Sequence, residues 1–250
     1  MFTTGGLIAG GIAAFIVGLS KTGLPGVSLA AIPLIALVVE GRLIPGATLP
    51  LLIVADLFAI FWYRRFARWD LLRGLTPSIG VGFVLGMAFF VIVGAATRQL
   101  ERSIGIILFV IVLLQMWHMF REPSPHLGRV AIAGFGIGGG FTTFVANAAG
   151  PVINTYLAAL RLPKTELLGT AAWLYFVVNL AKIPFYLALG AWTVGGVFFT
   201  GESLLWNLAL VPGIVLGVVI GRQVYHRIPQ RQFLLAVLAL SAAGALVLIV

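Results

Sequence analysis

Two lysines stand apart from the other basic residues of this chain because apolar sequence surrounds them. Lys21 belongs to the polar stretch Ser20-Lys21-Thr22-Gly23, and Lys182 lies inside the apolar run 167–189. Inside a membrane an ammonium costs at least about 2.5–3.5 kcal/mol, so it normally faces a cavity or a partner. A buried cation beside hydroxyl groups suits an anion. The alternative for both lysines is that a long apolar stem carries the ammonium to the membrane surface.

Asp56 is a carboxylate in the middle of another apolar run, 47–63. An ionised carboxylate at this depth is costly unless it has a partner. Three interpretations stay open: an ion pair with Lys21 or Lys182, a carrier for a coupling proton, or a protonated and hydrogen-bonded group.

Two polar, glycine- and proline-containing stretches interrupt the apolar pattern, at residues 18–26 and 146–151. Such breaks free backbone N–H groups for a ligand, and a short helix that starts after a break points its positive end into it. The alternative is a kink that only lets helices pack closely. The predicted substrate-binding residues are Ser20, Lys21, Thr22, Gly23, Gly26, Thr142, Thr143, Asn147, Gly150 and Asn179, with Asp56 and Lys182 as buried or coupling charges.

Motifs for catalysis or cofactor binding are weak in this sequence. The Lys21-Thr22 pair lacks the G-x-x-x-x-G-K-[ST] spacing of a phosphate-binding loop, and the G-x-G-x-x-G at Gly134, Gly136 and Gly139 lies in an apolar segment without a preceding strand. The chain has no cysteine, and its three histidines have no metal-ligand spacing. We therefore expect no enzyme activity, no cofactor and no metal.

Composition identifies the elements that must position these residues. Of 250 residues, 61% are hydrophobic and only 9% are charged, and the mean hydropathy is +1.12. The apolar runs are long and do not alternate, which is typical of membrane helices and not of a β-barrel. We predict an all-α polytopic membrane protein with helical segments at residues 5–19, 27–39, 47–63, 75–95, 103–120, 130–145, 151–160, 167–189, 204–221 and 232–250.

The second half of the chain repeats the first. An offset of 123 residues aligns Asp56 with Asn179, Tyr63 with Tyr186 and Trp69 with Trp192. A second block aligns 76–79 with 211–214, and Gly26 and Gly150 each end a break. The sequence therefore predicts two five-segment repeats, one within residues 1–125 and one within 126–250, each headed by a broken or re-entrant helix pair.

Basic residues are distributed unevenly between the two membrane faces. If the segments alternate, eleven basic residues fall on one face, whereas Arg42, Arg98 and Arg102 fall on the other. The positive-inside rule makes the first face cytoplasmic and places both termini on the opposite, outer side of the membrane. Five crossings per repeat then imply inverted topology, as in many secondary transporters. The net charge of +9 is explained by these loops and does not indicate nucleic-acid binding.

These paired breaks, each at the head of a repeat, resemble those of the TauE/SafE family of sulfite exporters and sulfur-compound permeases. The resemblance runs from Gly18-Leu19-Ser20-Lys21-Thr22-Gly23 to the helix at 212–221. The glycine-rich run that many members carry in the first element stands here in the second, at 136–140. The resemblance implies transport of small sulfur-containing anions across the bacterial inner membrane.

The predicted function is therefore secondary transport of a small sulfur-containing anion such as sulfite or a sulfonate, with proton coupling left open. The expected partners are this anion and the lipid bilayer, and the sequence does not indicate an oligomeric state. An anion channel with the same repeats is the first alternative, and a membrane-embedded enzyme is the second.

Overall fold

The computed structural model describes residues 1–23, 27–93, 97–119, 128–192, 197–224 and 230–250, and within them it contains ten α-helices and no strand. The helices are α1 (Thr4–Thr22), α2 (Ala31–Ala36), α3 (Leu43–Tyr63), α4 (Trp69–Val93), α5 (Thr97–Met119), α6 (Arg129–Ala146), α7 (Ala149–Ala159), α8 (Lys164–Trp192), α9 (Gly201–Val224) and α10 (Gln230–Ile249). In the described part of the chain, seven helices are long and apolar enough to cross a bilayer. The prediction of an all-α membrane protein is confirmed.

The first break is shorter than the sequence indicates. Helix α1 continues through Thr22, so Ser20, Lys21 and Thr22 form its last turn instead of a loop. The Thr22 hydroxyl stabilises this last turn, because it donates to the Gly18 carbonyl of its own helix (3.4 Å) and to the Val218 carbonyl of a distant helix (2.8 Å). Beyond the break, residues Val27–Ala30 form a 3-10 turn, and α2 has only six residues, fewer than the predicted 27–39 segment.

The second break is a tight reversal between α6 and α7. Asn147 caps α6 in the left-handed conformation, with φ of 53°. Asparagine tolerates this conformation better than most residues other than glycine. Helix α7 then begins at Ala149, two residues before its predicted start, because Pro151 falls in the first turn, where a missing N–H costs nothing.

The two halves pack through equivalent glycine seams. A Cβ on Gly217 of α9 would lie 2.1 Å from the Phe15 carbonyl oxygen of α1, and one on Gly82 of α4 would lie 2.4 Å from the Ile137 oxygen of α6. Gly82 and Gly217 have the same offset of 135 residues as the aligned blocks 76–79 and 211–214. The reciprocal contacts also agree, because a Cβ on Gly18 of α1 would lie 2.3 Å from the Ile214 carbonyl oxygen and one on Gly140 of α6 would lie 2.4 Å from that of Ile79. Helix α1 therefore packs on α9 in the way that α6 packs on α4, with the halves exchanged.

Helices α3 and α8 run antiparallel through the middle of the bundle. Just after α3 ends, the Arg68 backbone N–H donates to the hydroxyl of Thr170 near the start of α8 (3.0 Å). The end of the bundle where α3 and α9 finish and α4 and α8 begin is here named the arginine-rich face. It carries Arg64, Arg65, Arg68, Arg73 and Arg222.

The glycine seams predict a position-specific loss of stability. Gly82→Ala should lower the free energy of unfolding by about 1–3 kcal/mol, because the new methyl group meets the α6 backbone. Gly80→Ala is the matched control in the same helix, since a Cβ there would meet no atom within 4 Å. Thermal unfolding in detergent should show a lower Tm for Gly82→Ala alone. Equal Tm values for the two variants would contradict the close seam.

Candidate functional site

The centre of the bundle contains a buried carboxylate–amide contact between the two halves. Asp56 of α3 is fully buried, and Asn179 of α8 donates from Nδ2 to Asp56 Oδ2 at 2.7 Å. These are the residues that the repeat alignment pairs at an offset of 123. The two residues that this alignment pairs are therefore in direct contact.

Lys21 forms an ion pair with the same carboxylate. Its Nζ lies 2.7 Å from Asp56 Oδ1, and its side chain is 9% exposed. The ammonium also lies 4.3 Å from the centre of the Tyr175 ring, within the range of a cation–π contact. Of the two lysines predicted as partners for Asp56, Lys21 makes the contact, and it does not extend to the membrane surface.

Lys182 is the second buried cation, and its hydrogen-bond acceptors are neutral. Its side chain has no exposed surface. Nζ donates to the Thr143 carbonyl (3.2 Å) and hydroxyl (3.1 Å), and also to Asn147 Oδ1. The alternative that Lys182 reaches the surface is therefore wrong. The cluster of Lys21, Asp56, Asn179 and Lys182 thus brings two amino groups and one carboxylate together.

Asn147 connects the second break to the rest of this cluster. Its Nδ2 donates to the Pro45 carbonyl at the start of α3 (2.8 Å), while its Oδ1 accepts from Lys182. Its left-handed backbone directs the side chain towards both partners. Asn147 therefore orients Lys182 and holds α6 against α3.

Both breaks line one small cavity beside this cluster. Its volume is about 40 Å³, which accommodates about three water-sized groups. Its polar lining comes from Ser20, Lys21, Ser28, Thr143, Asn147, Asn154, Tyr175 and Asn179, together with the backbone at Gly150. A cavity of this size with hydroxyl, amide and ammonium donors suits a small oxyanion.

Several predicted residues do not line this cavity. The Thr22 hydroxyl is bonded to Val218, Gly23 packs against the backbone of Gly221, and the Thr142 hydroxyl donates to Gly138 within its own helix (2.8 Å). Gly26 lies outside the described residues. Thr22 and Gly23 hold α1 against α9, and Thr142 stabilises α6.

Three polar residues of the cavity lining, Ser28, Asn154 and Tyr175, are not among the predicted site residues. The Tyr175 hydroxyl donates to Asn154 Oδ1 at 2.8 Å, and its ring lies under Lys21. A signal was present, because Tyr175, Asn179 and Lys182 follow i, i+4, i+7 spacing on one helix face. No group of acidic, histidine or cysteine side chains suited to a metal occurs among the described residues.

The buried ion pair predicts a rescue by double substitution. Lys21→Met and Asp56→Leu should each lower the free energy of unfolding by about 3–5 kcal/mol, because each leaves one charge buried alone. The double variant should be more stable than either single variant. Thermal unfolding in detergent without added anion measures all three.

The exposed Arg68–Asp70 pair supplies the control, since Asp70→Asn should cost at most about 1 kcal/mol. If the losses at Lys21 and Asp56 simply add in the double variant, the two side chains are not coupled.

Comparison with known proteins places this arrangement in a family. Residues 8–248 match the family described as Sulfite exporter TauE/SafE. No curated protein and no solved structure matches the chain. The matched residues include both breaks, both glycine seams and the whole buried charge cluster. The chain therefore belongs to the TauE/SafE family of membrane transporters.

Proposed function

We propose that this protein is a secondary transporter of a small sulfur-containing anion, such as sulfite or a sulfonate, and that the anion binds in the cavity between the two breaks. The observation that carries the proposal is the charge of the central cluster. It holds two lysines, 9% and 0% exposed, against one carboxylate. A buried cation without a counter-charge is costly, so an anion in the cavity completes the cluster.

Lys21 and the hydroxyl groups provide the direct contacts in this proposal. Lys21 exchanges part of its interaction with Asp56 for the anion, while Ser20 and Thr143 donate neutral hydrogen bonds. Lys182 adds charge from behind Thr143 and Asn147 without lining the cavity. An anion held by neutral donors and by a lysine that it shares with Asp56 can be released again, which transport requires.

The packing supports an inverted repeat. The α1–α9 and α4–α6 seams exchange when the halves exchange, as a two-fold axis requires. The equivalent helices α3 and α8 are antiparallel, so this axis is perpendicular to them and lies in the membrane plane. With the arginine-rich face in the cytoplasm of a bacterial cell, residues 1–125 and 126–250 form the two repeats and both termini are periplasmic.

A carrier agrees better than a channel with the packing around the cavity. Beyond the Asp56–Asn179 contact, on the side away from the arginine-rich face, Phe90, Phe144 and Tyr186 are fully buried. A channel would need an open path there. The membrane-enzyme alternative has no catalytic cluster among the described residues to support it.

Anion binding provides the first test of this function. Lys21→Gln should weaken binding of the cognate anion about ten- to a hundredfold, as expected for the loss of a charged hydrogen-bonding partner. Lys182→Gln should weaken binding in the same direction but by less, because Lys182 contributes its charge from behind Thr143 and Asn147. Calorimetry in detergent across sulfite, sulfate, thiosulfate, sulfoacetate and taurine identifies that anion. The chain has one further lysine, Lys164, and Lys164→Gln is the matched control. Wild-type affinity in both folded cluster variants would place the anion elsewhere.

Charge balance also assigns a role to Asp56. With both lysines protonated, a monoanion neutralises the cluster, whereas a dianion requires one proton, and the adjacent carboxylate of Asp56 can take it. Proton-coupled uptake of a dianion follows from this arrangement. Among the described residues that line the cavity, Tyr175 is the ionisable group other than Lys21, and its ring faces Lys21.

Asp56→Asn should therefore abolish stimulation of uptake by a proton gradient in liposomes while exchange of bound anion stays measurable. The same assay on Asp70→Asn, which changes an exposed carboxylate, should give wild-type stimulation. Unaltered proton stimulation in Asp56→Asn would exclude Asp56 as the carrier.

A further inference from the structure

A compact cluster of four aromatic rings lies beyond the cavity, on the side away from the arginine-rich face. Tyr186 of α8 stacks on Phe198, with ring centres 4.3 Å apart. Phe90 of α4 lies 5.0 Å from Phe198, and Phe144 of α6 lies 5.2 Å from Tyr186. All four are essentially unexposed, and the Tyr186 hydroxyl donates to the Phe144 carbonyl.

Arg42 joins this aromatic cluster to the first residues of α3. It is buried, its Nη2 donates to the Phe90 carbonyl at 3.3 Å, and its guanidinium carbon lies 5.8 Å from the Phe198 ring centre. The aromatic cluster and Arg42 therefore contain residues from α4, α6 and α8, from the segment after α8, and from the position just before α3. Elements of both halves must separate before a path opens here.

The cavity extends in the opposite direction. Its remaining apolar walls are Leu52 and Ala59 of α3, Ala149 of α7, and Leu168, Ala171 and Ala172 of α8. Ala59 and the three residues of α8 lie on the arginine-rich side of the Asp56–Asn179 contact. Along α8 the lining from Asn179 to Leu168 covers about 16 Å at 1.5 Å per residue. The cavity therefore extends towards the arginine-rich face, whereas the buried aromatic cluster lies beyond its other end.

The repeat supplies counterparts to these rings at the arginine-rich end. Tyr63 is aligned with Tyr186. Phe66 corresponds to Phe198, because Gly46 of α3 abuts the backbone of Phe198 as Gly169 of α8 abuts that of Phe66. Tyr63 is partly exposed and Phe66 is 45% exposed, so these counterparts are not packed together as the aromatic cluster is.

We propose that the aromatic cluster of Phe90, Phe144, Tyr186 and Phe198 is a closed gate. The structure is then the state whose site is accessible from the arginine-rich face. Tyr63 and Phe66 form the matching gate, which closes in the opposite state. Exchange of the two packings between equivalent halves moves access from one face to the other. The inference rests on the proposed transport function. Its test uses no substrate, so the gates and the choice of anion succeed or fail separately.

Cysteine labelling tests the gates directly, because the chain has no native cysteine. Ala172→Cys places one thiol in the cavity wall without altering a charged residue. The probe is a small, negatively charged methanethiosulfonate that does not cross membranes, applied to vesicles of either orientation. The thiol should react at least about tenfold faster from the arginine-rich face, equivalent to about 1.4 kcal/mol.

Adding Tyr186→Ala should reduce this ratio about tenfold or more, because the closed gate loses its central ring. Phe198→Leu is a second variant with the same expected direction, used where Tyr186→Ala fails to fold. Tyr63→Ala is the matched control in the other half, and it should leave the ratio unchanged or raise it. Tyr186→Phe, which keeps the ring and loses the hydroxyl, should fall between wild type and Tyr186→Ala.

Two results would overturn the proposal. One is a thiol at position 172 that reacts equally well from both faces, or faster from the face opposite the arginines. The other is a shift in the same direction by Tyr186→Ala and Tyr63→Ala, since gates of opposite states must act oppositely.

Discussion

The burial of charge at the crossing of α3 and α8 constrains the rest of this structure. Asp56 has no exposed surface, and the membrane around the bundle offers it no water, so its partners must come from the protein. Lys21 reaches Asp56 only because α1 continues as a helix to Thr22, and Asn179 reaches it only because the two central helices touch. The glycine seams keep α1 and α6 close enough for these contacts to form.

The two halves share their packing but differ in charge at the centre. Two identical carboxylates in contact would repel each other, whereas an aspartate and an asparagine form a hydrogen bond, as Asp56 and Asn179 do. The repeat equivalent of Lys182 is Ala59, whose small side chain leaves room for the cavity. In the proposed transport function, the similar packing of the two halves serves the two access states, and the residues that differ between the halves form the single anion site.

Some buried polar residues can be recognised from the sequence alone, whereas the role of each one depends on how the helices pack. Lys21, Asp56, Lys182 and Asn147 are recognisable in sequence because polar groups in apolar segments are costly. Thr22 has the same signature, yet its hydroxyl is used in the contact between α1 and α9. A hydroxyl that binds a neighbouring backbone and one that faces a cavity look alike in sequence, since both are buried polar groups.

The sequence by itself determined the all-helical membrane class and the presence of two polar interruptions in the apolar pattern, although α1 continues to Thr22, further than the sequence indicates. These follow from local chemistry, because a long apolar segment in lipid must satisfy its backbone internally and a helix does so. Only the tertiary structure decided that Lys21 pairs with Asp56, that Lys182 has neutral partners, and that Tyr175 and Asn154 join the cavity. These contacts depend on the distances between helices that are remote in sequence. The close backbone approach at the glycines and the antiparallel crossing of α3 and α8 set those distances.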